Sequence, residues 1–276
     1  QHGAGNVPVH ETLKRNGYEV VSVTEQCSPD ENFSMTKNPN PETPESFELA
    51  FEVAKGCNAD LILTTDPDCD RVGTAVKVNG EYVRITGNQM GAVLLEYILS
   101  EKKRQGTLDP NSIMINTIVT SDLGDVIARE YGVDVEKTLT GFKFIGDRID
   151  YHNNTDKKKY VFGYEESYGY MKGLYARDKD SIVACMLICE MAAYYSLKGM
   201  TLIDAMDSLY AKYGYFTEDS AEIYKEGLEG KAQIAEDPVA AKALGNGLEA
   251  QEHAFTSLGE ASGDKGPRGT SGATRG

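Results

Sequence analysis

Only six residues, Asp66-Pro67-Asp68-Cys69-Asp70-Arg71, separate the run Leu61-Ile62-Leu63-Thr64-Thr65 from the β-rich run Val72 to Val78. The first run reads as a buried strand, Asp60 to Thr65, that ends by delivering an acidic loop. Such a strand presents its carboxylates at the carboxyl edge of a sheet, where α/β proteins place their sites. Alternate residues of extended chain face the same way, so Asp66, Asp68 and Asp70 are expected to converge on one ion. A donor set made only of oxygens suits Mg²⁺. An EF-hand also begins Asp-x-Asp-x-Asp, but it needs Gly at loop position six and Glu at twelve; those positions hold Arg71 and Lys77. A solvated acidic turn is the bland alternative. Three carboxylates within five residues repel one another, which makes a bound cation the better account. Arg71 has two open roles: pairing with phosphate or neutralising the aspartates.

The remaining chain alternates helix and strand signals. Pro8 suits the first turn of a helix that Gly17 ends, and Tyr18 to Val23 is rich in β-formers, hence a strand. Cys27 to Pro44 is Pro- and Asn-rich and reads as a long ordered loop. Thr43-Pro44 opens a second helix. Asn79-Gly80 between Val78 and Glu81 is a strong hairpin signal, and Thr86 caps a helix to about Arg104. Thr107-Leu108-Asp109-Pro110-Asn111 is the best linker. Beyond it lie a strand at Ile113 to Val119, a helix at Ser121 to Tyr131, a strand at Val133 to Thr138 and a helix at Phe142 to His152. A short strand, Tyr160 to Gly163, runs into the loop Gly163-Tyr164-Glu165-Glu166-Ser167-Tyr168-Gly169. Asp180 caps a nearly all-apolar helix, and Thr201 caps another. This rhythm implies an α/β protein of two successive three-layer α/β/α units with mixed sheets. The expected domains are residues 1–106, with the metal loop, and 107–222, with the Glu-Glu-Ser loop. Residues 223–276, rich in Gly and Ala, read as a low-complexity tail, disordered or non-native.

Charge and hydropathy exclude several classes. A net charge of −15 leaves no cationic excess for nucleic acid or an anionic membrane, although a local basic pocket can still hold a small phosphorylated ligand. The longest apolar run, within Ile182 to Tyr195, is broken by Glu190 and too short to span a bilayer. No signal-peptide pattern opens the sequence, and five cysteines without a CxxC pair read as reduced thiols of a cytoplasmic protein. His2 and His10 have no metal-spaced partner and read as structural or exposed.

Four segments carry a specific resemblance. Asp66-Pro67-Asp68-Cys69-Asp70-Arg71 is similar to the metal loop of the α-D-phosphohexomutases, the phosphoglucomutase and phosphomannomutase superfamily. His2-Gly3-Ala4-Gly5-Asn6 resembles a segment near the start of that family's second domain, and Thr140-Gly141-Phe142-Lys143 a substrate-contacting turn of its third. Gly163 to Gly169 resembles its sugar-recognition loop, followed by the basic segment Arg177-Asp178-Lys179-Asp180. The resemblance covers residues 2 to about 222, and the Glu-Glu-Ser-Tyr-Gly form favours the phosphoglucomutase side over phosphomannomutase; the family alternatives are a phosphomannomutase or a phosphopentomutase. It implies interconversion of glucose 1-phosphate and glucose 6-phosphate through glucose 1,6-bisphosphate. Mg²⁺ is then held by Asp66, Asp68, Asp70 and a phosphoserine. The phosphohexose is contacted by Thr140, Gly141, Lys143, Glu165, Ser167 and Lys179, and Lys179 and Arg71 serve catalysis.

The residues support this reading by their own chemistry. A Glu with a Ser two positions later can accept from one sugar hydroxyl and donate to its neighbour; standing alone, the pair is as well read as a polar turn. Lys179 can bind phosphate as a point charge, or transfer protons if its pKa is lowered, and in isolation is a solvated lysine at a helix start. Thr140 and Lys143 sit at a turn opening a helix, an anion site or simply a cap.

The family's Ser-His-Asn-Pro phosphoserine motif is absent from the 276 residues. Gly266-Pro267-Arg268-Gly269-Thr270 has only the letters of its phosphate-gripping loop. The expectation is a piece comprising most of domain 2 and all of domain 3, lacking domains 1 and 4, and inactive alone. Two other classes compete: an aspartyl phosphatase of the haloacid-dehalogenase type with Asp66 as nucleophile, for which Asp147 and Asp150 are one residue short of the usual acidic pair, and a non-catalytic module binding Mg²⁺ or sugar phosphate.

Overall fold

The computed structural model describes residues 1–218, and the tail from residue 223, with the phosphate-loop letters, lies outside the described residues. Helix α1 (Asn6–Arg15) is followed by an irregular stretch to α2 (Glu48–Cys57). A sheet of β1 (Leu61–Thr65), β2 (Val72–Val78) and β3 (Glu81–Ile85) comes next, then α3 (Gly87–Arg104). The second half runs β4 (Ser112–Thr117), α4 (Leu123–Glu130), β5 (Asp134–Thr138), α5 (Phe142–Asn154), β6 (Lys159–Tyr164), β7 (Tyr170–Met171), α6 (Ser181–Ser196) and α7 (Leu202–Tyr213).

The two sheets differ in kind. The second has order β5-β4-β6-β7; β4 runs parallel to β5 and β6, and β7 is antiparallel to β6. It is the mixed sheet the sequence implies. In the first sheet both pairings are antiparallel. The six residues from Asp66 to Arg71 are too few for a crossover, which takes a dozen or more, so β2 must fold straight back on β1. At the other end of β2, Asn79 and Gly80 both have positive φ, 51° and 88°, as the tightest hairpin turn requires.

Side-chain alternation sends each sheet's residues into two cores. Ile113 and Ile115 of β4 pack with Phe142, Ile145 and Ile149 of α5, while Met114 and the β6 residues Phe162 and Tyr164 face the cluster built by α3, α4, α6 and α7. Under the first sheet, Ile62 and Ala75 meet Phe47, Ala50 and Ala54 beside α2. Val72, Val76 and Ile85 join the larger cluster. Helix α6, apolar nearly all round, touches α1, α3, α7, β1, β2 and β7, the central place its composition predicts. Its N-terminus is held by Asp180, whose side chain accepts from the backbone N–H groups of Ile182 and Val183. Thr86 and Thr201 close capping boxes on α3 and α7.

One expected strand is missing. Residues Tyr18 to Val23 are in no ladder, and β1 pairs only with β2. A cleft of about 760 Å³ runs between the open edge of β1 and this stretch. The β-formers of Tyr18 to Val23 therefore have no described strand within hydrogen-bonding reach, and strand preference without a neighbour does not make a strand.

Candidate active site

The acidic residues do not lie on extended chain. They form a turn: the Cys69 N–H donates to the Asp66 carbonyl at 3.1 Å, and Cys69 adopts a left-handed φ of 62°. The reading of an alternating strand is thus corrected, and the reason is the same short return to β2. Convergence survives, because the turn gathers ligand oxygens of Asp66, Asp68 and Asp70 within 4.8 Å of one another. Asp66 is 1 % exposed, Asp68 exposed and Asp70 intermediate. Three hard oxygen donors open to solvent on one side fit Mg²⁺, which keeps several of its own waters.

Asp66 is also the knot that ties the loop. Its Oδ1 accepts from the backbone N–H groups of Asp70 and Arg71, each at 3.0 Å, and its Oδ2 accepts from Arg71 Nε at 2.8 Å. Burial pushes its pKa up to about 6; neighbouring Asp70 adds to the rise and the Arg71 bonds oppose it. Arg71 in turn donates through Nη1 to Asn40 at 3.3 Å and Glu42 at 3.2 Å. Of its two roles left open by the sequence, neutralising the aspartates is the one these contacts display. Sequence reasoning missed Asn40 and Glu42, which lie in a Pro-rich loop whose partners are some thirty positions away.

The glycine-rich opening supports the loop from behind. The Ala4 N–H donates to the Pro67 carbonyl at 2.7 Å. A Cβ on Gly3 would stand 2.1 Å from that oxygen and 2.3 Å from Pro67 Cα, so only glycine fits this approach. His2 is buried, with Nδ1 2.8 Å from the Ser28 carbonyl; His10 Nδ1 lies 2.9 Å from Ser22 Oγ.

Three further segments meet the acidic turn. Arg71 and Gly169 form an isolated antiparallel bridge, and the Val72 N–H donates to the Tyr168 carbonyl at 3.1 Å. The Glu-Glu-Ser loop is thereby continuous with the metal loop. The Ser181 N–H donates to the Cys69 carbonyl, bringing up the start of α6. Lys179 crosses directly over Gly169, where an added Cβ would be 2.7 Å from its Cδ, and its Nζ reaches Asp70 Oδ2 at 2.6 Å and Asp178 Oδ1 at 3.2 Å. Burial alone would lower the Lys179 pKa, but the bond to Asp70 and the charges of Asp70 and Asp178 raise it on balance. That direction favours a fixed cation over a proton-transfer base.

Glu165 is buried, and its Oε1 accepts from the Gly141 N–H at 2.9 Å. The bond joins the sugar-type loop to the turn that opens α5. Thr140 and Lys143 are exposed at that opening, and Ser167 is half-buried. Desolvation raises the Glu165 pKa above 4.5, with the Gly141 bond pulling the other way. A raised carboxyl pKa means that the folded chain holds its proton more tightly than the unfolded chain does. The contribution of Glu165 to stability therefore falls as pH rises from the unfolded to the folded pKa. In urea melts, Glu165→Gln should gain on the wild type as pH rises through and above the ordinary carboxylate range; a pH-independent difference would remove the burial argument.

Comparison with known proteins also gives two parts, divided between residues 80 and 86 rather than at 106. Residues 1–80 match the description "Phosphoglucomutase/phosphomannomutase, alpha/beta/alpha domain II", and residues 86–213 match domain III of the same family. The two matches meet upstream of the 107–111 turn. A phosphoglucomutase of Staphylococcus aureus (strain MRSA252) is 37 % identical over 235 residues, and one of Staphylococcus haemolyticus (strain JCSC1435) 37 % over 236. Each alignment covers 84 % of this chain but 42 % of the relative, so the chain spans less than half the length of these enzymes. Among solved structures, a chain from Thermus thermophilus superposes with a TM-score of 0.61 at 24 % identity, covering 77 % of this chain and 44 % of that one. A phosphoglucomutase/phosphomannomutase family protein from Burkholderia thailandensis gives 0.58 at 18 %, covering 76 % and 40 %. These two likenesses bear on the fold.

Proposed function

The chain belongs to the phosphoglucomutase/phosphomannomutase family, the α-D-phosphohexomutases, and carries its domains II and III; from that premise we propose that it supplies the metal loop and the sugar loop of an intramolecular phosphotransferase acting on glucose 1-phosphate and glucose 6-phosphate. The observation that carries the reading is the joining of the acidic turn, the Glu-Glu-Ser loop and Lys179 around Arg71 and Gly169.

Phosphoryl transfer asks a protein mainly for positioning and for neutralisation of charge. Asp66, Asp68 and Asp70 would hold Mg²⁺, which when bound supplies charge neutralisation at the phosphoryl oxygens. Arg71 and Lys179 add two protein cations beside it. Glu165, its Oε1 fixed by Gly141, presents its remaining oxygen to a sugar hydroxyl, and Ser167 donates to the neighbouring one. Thr140 and Lys143, at the N-terminus of α5, offer a hydroxyl and a cation to the phosphate that is not transferred, while Gly141, its N–H held by Glu165, shapes the turn that presents them. The phosphoryl donor, the phosphoserine of the family resemblance, comes from outside this chain, which leaves glucose 1,6-bisphosphate as the intermediate that turns between two transfers. Glucose is preferred to mannose or a pentose on the form of the Glu165-Glu166-Ser167 loop.

An aspartyl phosphatase needs a presented nucleophile. Asp66 is buried with both oxygens engaged by three donors, which speaks against that reading. A binding module is the remaining competitor. Calorimetry of the 276-residue chain with Mg²⁺ and glucose 6-phosphate, set against mannose 6-phosphate, is expected to show binding with preference for glucose. Mixed with glucose 1-phosphate, catalytic glucose 1,6-bisphosphate and Mg²⁺, the chain alone is expected to show no turnover. Absence of any glucose 6-phosphate binding overturns the reading; turnover by the chain alone overturns the external donor.

A further inference from the structure

A carboxylate that the site description leaves unused stands beside Glu165. Glu166 turns away from its neighbour and places Oε2 3.0 Å from Thr120 Oγ1 and 3.3 Å from Thr117 Oγ1. The two threonine hydroxyls are themselves 2.7 Å apart, and both side chains are buried. Two hydroxyls have two protons for three contacts. The two shorter contacts define a relay in which Thr117 donates to Thr120 and Thr120 donates to Glu166, and each bond polarises the next. The relay lies at the carboxyl end of β4, the strand flanked by β5 and β6 in the parallel part of the sheet, the strand-order reversal beside which α/β sheets bind their ligands. The backbone around it is held as well. Lys137 Nζ donates to the Thr120 carbonyl at 3.1 Å, and the Ser121 N–H donates to Asn88 Oδ1 at 3.1 Å.

We propose that Thr120, through Glu166, is a positioning residue for sugar recognition: the buried relay pins the backbone of Glu165 to Ser167 to the end of β4 and so sets where those two side chains meet the hexose. This rests on the reading that the Glu-Glu-Ser loop takes the sugar. A charge-assisted bond from a buried hydroxyl is the stronger kind, and its partner is a single residue away from each recognition side chain. The acidic turn has ties of its own, through Asp66 and Arg71, so the relay is expected to act on sugar binding more than on the metal.

The test is calorimetric titration of the full 276-residue chain with glucose 6-phosphate and, separately, with Mg²⁺. Thr120→Val, which keeps the side-chain shape and removes the donor, should weaken glucose 6-phosphate about tenfold. It should leave the Mg²⁺ affinity within about twofold of the wild type, and Thr120→Ser should restore sugar binding to the same margin. Glu166→Gln, which keeps an acceptor but loses its charge, should fall between the two and serves where the valine variant does not fold. If wild type and Thr120→Val bind glucose 6-phosphate equally, or Thr120→Ser fails to rescue, the positioning role falls and the sugar-site reading stands. If Mg²⁺ and sugar affinities drop together, Thr120 is merely structural and the proposal is overturned. If the wild type binds no glucose 6-phosphate, both fall.

Discussion

Asp66→Ala should lower the stability of the metal-free chain by about 2–4 kcal/mol, and added Mg²⁺ should then stabilise only the wild type. The carboxylate is 1 % exposed and accepts three donors. Deleting it leaves two backbone N–H groups and one guanidinium edge without that acceptor. Each orphaned donor costs about 1–3 kcal/mol where water cannot reach. Two effects hold the total below that sum: Arg71 keeps Asp70, Asn40 and Glu42 as partners, and removing a buried carboxyl relieves the desolvation that lifts its pKa. Asp66→Asn keeps one acceptor and should cost about half as much. A ligand that binds only the folded chain at about a hundred times its Kd adds about 2.7 kcal/mol. Mg²⁺ at that excess should raise the wild-type melting midpoint and leave the Asp66→Ala midpoint unmoved. Urea melts with and without Mg²⁺ decide it, and a variant within about 0.5 kcal/mol of wild type in both conditions sinks the view of Asp66 as both knot and ligand.

The double duty of Asp66 explains why the acidic loop is so legible in the sequence. Its ligand types, the strand before it and the strand after it are all local, and local pattern is what a sequence displays. The same holds for Asn79-Gly80, for the caps at Thr86, Asp180 and Thr201, and for the apolar helix α6. What cannot be read are contacts between distant positions. Asn40 and Glu42 bond Arg71 from a Pro-rich stretch with no periodicity, and Thr117, the last residue of β4, and Thr120, in the turn after it, look like ordinary β-formers. Their only signal is placement at the carboxyl end of β4, where a loop after a central parallel strand invites a search for polar side chains. The geometry of the acidic residues escapes the sequence for a different reason. Extended alternation and a tight turn both bring such carboxylates together, and only the return of β2 onto β1 selects the turn. Tyr18 to Val23 shows the limit of propensity: the residues favour a strand, and no described strand lies alongside them to complete one.

Glycine substitutions at two points should separate the two halves of the site. Gly3 abuts Pro67, and a Cβ there would stand 2.1 Å from a carbonyl oxygen of the acidic turn. Gly87, the first residue of α3, abuts the Glu-Glu-Ser loop, and a Cβ there would stand 2.0 Å from the Glu166 carbonyl oxygen and 3.0 Å from Tyr168 N. In both cases the obstacle is backbone, which cannot swing aside as a long side chain does, so the turn itself must shift. Overpacking of this kind costs about 1–3 kcal/mol, and each alanine should lower stability by that order. The ligand affinities should divide. Gly3→Ala displaces the turn that carries Asp66, Asp68 and Asp70 and should weaken Mg²⁺ about tenfold or more, because ligand oxygens must sit within about 0.2 Å of their ideal distances. Gly87→Ala displaces Glu165 and Ser167 and should weaken glucose 6-phosphate while affecting Mg²⁺ far less. The bridge between Arg71 and Gly169 sets the limit on this separation, because a shift of one loop is transmitted to the other through that short contact, the Val72–Tyr168 bond and Lys179, which crosses Gly169 and bonds Asp70. Calorimetry on both variants measures the transmission. If both substitutions weaken both ligands to the same degree, the two loops move as one rigid piece.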